Sequence, residues 1–299
     1  MKKVWWPIIV LALGLGLAGP APAATVAQQK GLVLVAQMQA ILDEAVEEAW
    51  AYLLSSEVSE KQDFMDRMQE FDARAAELKK LFPKRGDLAC RGKMINAKHD
   101  MFIHFQRLFD ALKAGGDFRK LPSKALLDFK VKVIEALDAT DACLKDLMAA
   151  NQDQLMAKGE PSTPTQAKMS AYKGPKLRAA LQVLRIQSTV MRGAGEAMCY
   201  PVIMKAQAKT DFLARMDEFD KLAAALPADF LSGIYGPAAA KTYQDILTSK
   251  GTMQSTARDL ISAADHNTLA PSTIAVFEAQ VDALDALLDS LVDTCRKAL

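Results

Sequence analysis

Asp63-Phe64-Met65-Asp66-Arg67-Met68-Gln69-Glu70-Phe71-Asp72 returns 148 residues later as Asp211-Phe212-Leu213-Ala214-Arg215-Met216-Asp217-Glu218-Phe219-Asp220. Extended to Leu78 and Leu226, the two stretches are identical at 10 of 16 positions. The same offset pairs Glu48, Ala49 and Tyr52 with Glu196, Ala197 and Tyr200. A fixed long period in a chain means a duplicated structural unit, and it sets the architecture before any local propensity does. The unit is roughly 130 residues of helical pattern.

Within the repeat, Phe64, Met68, Phe71, Ala75 and Leu78 recur at steps of three and four, the signature of one buried helix face. Read outward from there, the first unit predicts four helices. They run from about Val26 to Ser55, from the capping-box-like Ser59-Glu60-Lys61-Gln62 to Phe82-Pro83, from Leu88 to Lys113, and from Pro122-Ser123 to Ala150. Lys84-Arg85-Gly86 reads as a turn and Gly115-Gly116 as a helix stop. The second unit predicts helices over about Pro175 to Met198, Pro201 to Leu226, Gly236 to Ala264 and Ala270 to Ala298. Pro271-Ser272 repeats Pro122-Ser123, and Asp293-Thr294-Cys295-Arg296-Lys297 echoes Asp141-Ala142-Cys143-Leu144-Lys145. Short connections make successive helices antiparallel. The expected fold is all-α: two tandem up-down four-helix bundles over residues 24–156 and 174–299. A linker over 157–173 joins them, marked by Lys158-Gly159-Glu160-Pro161-Ser162-Thr163-Pro164.

Residues 1–23 read as a secretory signal peptide. Lys2-Lys3 precedes an apolar run from Val4 to Leu17, and Ala21-Pro22-Ala23 supplies a small-x-small cleavage signal. The run is short of the ~20 residues that span a bilayer. A periplasmic or secreted location is therefore expected. Losing two lysines from 37 basic residues leaves 35 against 36 acidic ones. That balance gives no electrostatic reason to expect a nucleic-acid partner.

Four cysteines in an exported chain suggest disulfides. In an up-down bundle Cys90 and Cys143 fall at the same end and are expected to pair. Cys199 and Cys295 fall at opposite ends, on the order of 30 Å apart at about 1.5 Å per helical residue. A disulfide needs Cα atoms within roughly 7 Å. These two are expected to be reduced or to pair between chains.

The stretch chosen as the candidate binding site is Leu184-Arg185-Ile186-Gln187-Ser188, continuing to Met191-Arg192. An arginine among apolar residues must snorkel or meet an anion, and guanidinium presents a planar fork suited to small oxyanions. Here the chain resembles the periplasmic sensor domains of nitrate/nitrite sensor kinases. It is also similar to the N-terminal domain of type IV pilus chemotaxis transducers, the PilJ or NarX-like family. Segments of that family read approximately Arg-Met-Gln-Ser or Arg-Met-Leu-Ser, with a further arginine. Glu196-Ala197-Met198-Cys199-Tyr200 followed by Phe212, Phe219 and Leu226 adds to the likeness, as does Phe105, Phe109 and Leu112 to Asp117.

The resemblance implies four-helix bundles and ligand sensing rather than catalysis. It places a small anion on Arg185, where two such helices meet in a homodimer; Gln187, Ser188 and Arg192 complete the candidate site. The family's second arginine falls near Val190 here, and the first unit carries Gln37-Met38-Gln39-Ala40 in place of Arg185-Ile186-Gln187-Ser188. The first unit is therefore expected to lack the anion site. Signalling would pass through a partner, a membrane receptor or another periplasmic protein.

A non-catalytic scaffolding protein without a small-molecule ligand is the alternative. No catalytic serine–histidine–acid pattern or glycine-rich phosphate loop is present, so no enzyme is expected. His99 and His104 lie about 140° apart around a helix, a poor spacing for a shared metal. With His266 isolated and Cys-x-x-Cys-His absent, neither a metal nor a cofactor is expected. The methionines recur at core spacing and read as packing residues.

Overall fold

The structure is a computed structural model that describes residues 26–83, 88–112, 116–150 and 174–298. The expected signal peptide, the linker signals at 158–164 and the turn Lys84-Arg85-Gly86 lie outside the described residues. Among the described residues the chain is all-α, with no strand and no helix long and apolar enough to cross a membrane.

The first half contains α1 (Val26–Ser55), α2 (Val58–Leu81), α3 (Cys90–Leu112), a 3-10 turn at Phe118–Lys120, and α4 (Ser123–Ala150). The second contains α5 (Gly174–Ile203), α6 (Ala206–Ala224), α7 (Ala228–Tyr235), α8 (Pro237–Asp265) and α9 (Pro271–Lys297). The expected capping box at Ser59 is not used. Helix α2 starts one residue earlier, and Glu57 at its N-cap makes no side-chain cap bond. The expected break at Pro201 is also absent, because α5 continues to Ile203. A proline in the last turn sacrifices one helical hydrogen bond and leaves the rest of the ladder intact. Helix α5 ends where Met204 takes φ 48° and donates its N–H to Tyr200 O at 2.7 Å. Helix α1 ends the same way 148 residues earlier, with Ser56 at φ 62° and its N–H on Tyr52 O at 2.8 Å.

Helices α1 and α5 run along one another, each also packing on helices of its own half. Their contacts advance in step: Ser188 meets Asp43, and Gly195 lies against the Glu47 backbone. The two helices are therefore parallel, and the internal repeat is arranged about their seam. Both are buried on nearly all sides, which explains why apolar residues occupy so much of their circumference.

The register of the last helix of each half differs from the cysteine echo. Ile274, Phe277, Val281 and Leu284 fill the buried positions that Leu126, Phe129, Val133 and Ala136 fill in α4, at the 148-residue offset. Asp141 therefore corresponds in space to Asp289, one helical turn before Asp293. Core side chains set helix register, and the cysteines are matched only after a one-turn slip.

Cys90 and Cys143 sit at disulfide distance, Cα atoms 5.1 Å apart, joining the start of α3 to α4. Cys199 and Cys295 are free and buried. The Cys90–Cys143 link would close a loop of 53 residues. Cys143→Ser should lower unfolding stability by about 2–4 kcal/mol, read by urea denaturation with and without reductant. Equal stability of variant and oxidised parent would show that the link contributes nothing.

Candidate functional site: a polar seam between the central helices

The four residues of the sequence-derived site do not stay together. Arg185 is exposed. Gln187, Ser188 and Arg192 each bond a carboxylate of α1 across the seam. Arg185 is seven residues, nearly two whole turns, before Arg192, so it lies on the same side of α5 about 10 Å further along the axis, whereas Gln187 is about 200° round from it.

Arg192 is enclosed by carboxylates. Its Nε donates to Asp43 Oδ1 at 2.9 Å, and one terminal nitrogen reaches Asp43 Oδ2 at 3.3 Å. The other donates to Asp141 Oδ2 at 3.3 Å. Ser188 Oγ donates to Asp43, and Gln39 donates its amide to Asp141. Asp43 is fully buried. Burial pushes its carboxyl above the usual range, while Arg192 and Ser188 pull it back. Burial opposes the charge on Arg192, but Asp43 and Asp141 outweigh it and hold the guanidinium ionised. This network joins α1, α4 and α5, and each of the three guanidinium nitrogens of Arg192 donates to a protein carboxylate.

A second network lies at the pseudo-equivalent place. Gln187 Nε2 donates to Glu44 Oε1 at 2.7 Å and to Asp289 Oδ1 at 2.8 Å, with Asp285 Oδ1 at 3.3 Å. Gln39 with Asp141, and Gln187 with Asp289, are the same bond made twice, both partners shifted by 148 residues. The third member differs. Where the first network holds Arg192, the second holds Glu44. The charge is balanced from α2 instead, by Arg67, 3.1 Å from Glu44 Oε2 and 3.2 Å from Asp285 Oδ2. Burial, and then Asp285, raise Glu44 well above the ordinary carboxyl range. Burial and Asp289 push Asp285 up to about 6 against the pull of Arg67.

This second network floors a cleft of about 520 Å³ between α1, α2, α5 and α9, whose walls include Glu44, Arg67, Arg74, Gln187, Asp289 and Arg296. A smaller recess of about 380 Å³ adjoins it and shares Gln37, Arg74 and Arg296. Lys30 and Lys80 add two further cationic side chains to that recess. Arg74 pairs with Glu70 and Glu77, each at 3.3 Å, yet its buried Nε has no hydrogen-bond partner. Gln37, at the junction, is the first-half counterpart of Arg185.

Sequence reasoning missed Arg67, Arg74 and the carboxylates around them. Charges on a helix read as a solvated face until a second helix is known to cover them. The available signal was the recurrence of Gln39 and Gln187 at the repeat offset, together with Asp141 and Asp289. The histidines take no part: His99 and His266 are exposed, and His104 bonds Asp100 O through Nδ1 at 2.9 Å. Among the described residues, the groupings able to hold a metal ion are all-carboxylate: Glu44, Asp285 and Asp289, and Glu48, Glu60 and Asp63.

Comparison of the chain with protein-family models, with characterised proteins and with solved structures finds no match in any of the three.

Proposed function

We propose that the protein is a non-catalytic helical sensor module that holds a small oxyanion-bearing ligand and acts through a partner protein. The partner would be a membrane receptor or another periplasmic protein. In this reading two tandem four-helix bundles, α1–α4 and α5, α6, α8 and α9 with the short α7 between α6 and α8, meet along α1 and α5 as two copies of one bundle would meet in a homodimer. The ligand lies in the cleft beside Gln187, with its anionic group in the recess that Arg74, Arg296, Lys30 and Lys80 surround.

The observation that carries the proposal is Arg74. A buried guanidinium nitrogen without an acceptor is costly unless something supplies one. Arg74 lines both cavities. Arg192, in contrast, spends its donors on Asp43 and Asp141, and Arg185 stands outside the cleft. The ligand-binding arginine of this reading is therefore in α2 and not in α5.

A thermal-unfolding screen of nitrate, nitrite, other small oxyanions and amino acids tests it. At about 100 times its Kd a true ligand should raise Tm by about 5 °C. Arg74→Ala should abolish the shift and Arg185→Ala should leave it. A shift that survives Arg74→Ala but is lost in Arg185→Ala would move the site to Arg185 on α5. No shift with any compound would favour the scaffolding alternative.

A further inference from the structure

The duplication builds one corner of the fold twice, with opposite charge. In the second half, Glu196 of α5 meets Lys130 of α4, Nζ to Oε2 2.9 Å, with both side chains largely buried. Asp211 of α6 adds its charge nearby. The corner is a satisfied ion pair whose cation is supplied by the chain.

The first half repeats the acids and replaces the cation. At the 148-residue offset, Glu48 stands for Glu196 and Asp63 for Asp211, but Glu278 stands for Lys130. The register is secured by Phe129 and Phe277, the buried residues immediately before Lys130 and Glu278. Two further changes also add negative charge: Glu60 replaces Ala208, and Glu47 replaces Gly195.

Carboxylate oxygens of Glu48, Glu60 and Asp63 lie within 4.8 Å of one another. Glu47 is only 5% exposed and faces Glu60, Glu278 and Asp282, yet it makes no hydrogen bond or ion pair. Glu278 Oε1 is buried and likewise without a partner. Among the described residues, no lysine or arginine pairs with any of these six acids. Arg67, one turn after Asp63 on α2, is committed to Glu44 and Asp285.

We propose that Glu48, Glu60 and Asp63, backed by Glu47, bind a hard divalent cation, calcium first, which does in this half what the Lys130 ammonium does in the other. The donor set is all oxygen, with no histidine or cysteine among it, which selects calcium, magnesium or manganese over zinc or copper. Calcium fits best of the three because it accepts mixed one- and two-oxygen carboxylate ligation in irregular geometry. Asp63 is exposed and leaves an open side for access and for water. The site is separate from the oxyanion cleft and does not depend on it.

The test is isothermal titration calorimetry of the full chain, stripped with chelator, against CaCl2, MgCl2 and MnCl2, with thermal unfolding in parallel. The parent should bind calcium and gain Tm. Glu60→Gln should weaken the affinity at least tenfold. Glu278→Lys, which restores the other half's lysine, should abolish binding and raise the Tm measured in chelator. Asp63→Asn, at the exposed edge, carries the same test if a buried variant fails to fold. Absence of binding to all three ions at millimolar concentration would overturn the proposal. So would unchanged affinity in both Glu60→Gln and Glu278→Lys, which would assign the ion to another cluster.

Discussion

Arg192→Met should destabilise the protein by about 3–5 kcal/mol, the usual cost of removing one partner from a buried ion pair. Asp43 would keep only the Ser188 hydroxyl, and Asp141 only the Gln39 amide. Asp43 has no exposure to water with which to replace the lost guanidinium. The double variant Asp43→Asn with Arg192→Met should recover much of the loss, because removing both charges also removes the stranded carboxylate. Urea unfolding of the parent, both single variants and the double variant measures the coupling directly. A loss under about 1 kcal/mol for Arg192→Met would mean that this network is not the clasp between the halves. The expectation matters for function as well, since an arginine whose removal unfolds the seam cannot be read as a ligand contact from lost activity alone.

Arg192 also shows where reading the sequence stopped. The all-α fold, the span of α1 and the proximity of Cys90 to Cys143 follow from apolar spacing, turn residues and helix counting. Those are local properties, or consequences of short connections. The roles of Arg185 and Arg192 are not local. Both sit among apolar residues of one helix that is covered on almost every side, so neighbouring residues do not distinguish them. Which arginine is buried depends on where α1 and α4 place Asp43 and Asp141. The acids Asp43, Glu44, Glu47 and Glu48 were hidden for the same reason. On an ordinary amphipathic helix such a run marks the wet side, whereas here the seam with α5 encloses most of it. The slip between the cysteine echo and the true register of α9 has a related cause. Short identities compete with the spacing of Phe277, Val281 and Leu284, and packing decides between them.

The duplication itself accounts for the asymmetry of the two polar networks. In a dimer of identical chains, a substitution on the central helix appears on both sides of the axis. A tandem repeat frees the two copies to diverge, so Arg192 can oppose Asp141 on one side while Glu44 opposes Asp289 on the other. Lys130 and Glu278 have diverged in the same sense. The first half's corner thus collects carboxylates that a symmetric assembly would have had to neutralise twice. The cleft beside Gln187, with Arg67 and Arg74 on α2, lies on this same acid-rich side.

With divalent ions removed, stability should fall as the pH rises from about 5 to 8.5, the reverse of the usual acid-unfolding trend. Burial, followed by the charges of Glu60, Glu57 and Asp282, pushes Glu278 up to about 8. Asp285, facing Asp289, Arg67 and Asp282, is pushed up to about 6. Glu47 is raised as well, by burial first and then by Glu60 and the α9 acids, and Glu48 by burial first and then by Glu47, Glu60 and Asp63. In the unfolded chain these groups titrate near the ordinary carboxyl value of about 4. Between that value and the raised folded values, the folded state binds more protons than the unfolded one. Stability is then full below the unfolded value and is lost as the pH climbs through the folded values. Each proton retained only by the folded state contributes a slope of about 1.4 kcal/mol per pH unit within its window. Glu278→Gln should flatten the decline between pH 5 and 8, because the amide keeps the neutral shape of the protonated acid. A divalent ion should flatten it too, by holding the carboxylates ionised in the folded state. Thermal unfolding across this range, in chelator and in calcium, separates the two effects. A Tm that rises steadily from pH 5 to 8.5 in chelator would show that the acidic corner is solvated rather than enclosed between α1, α2 and α9.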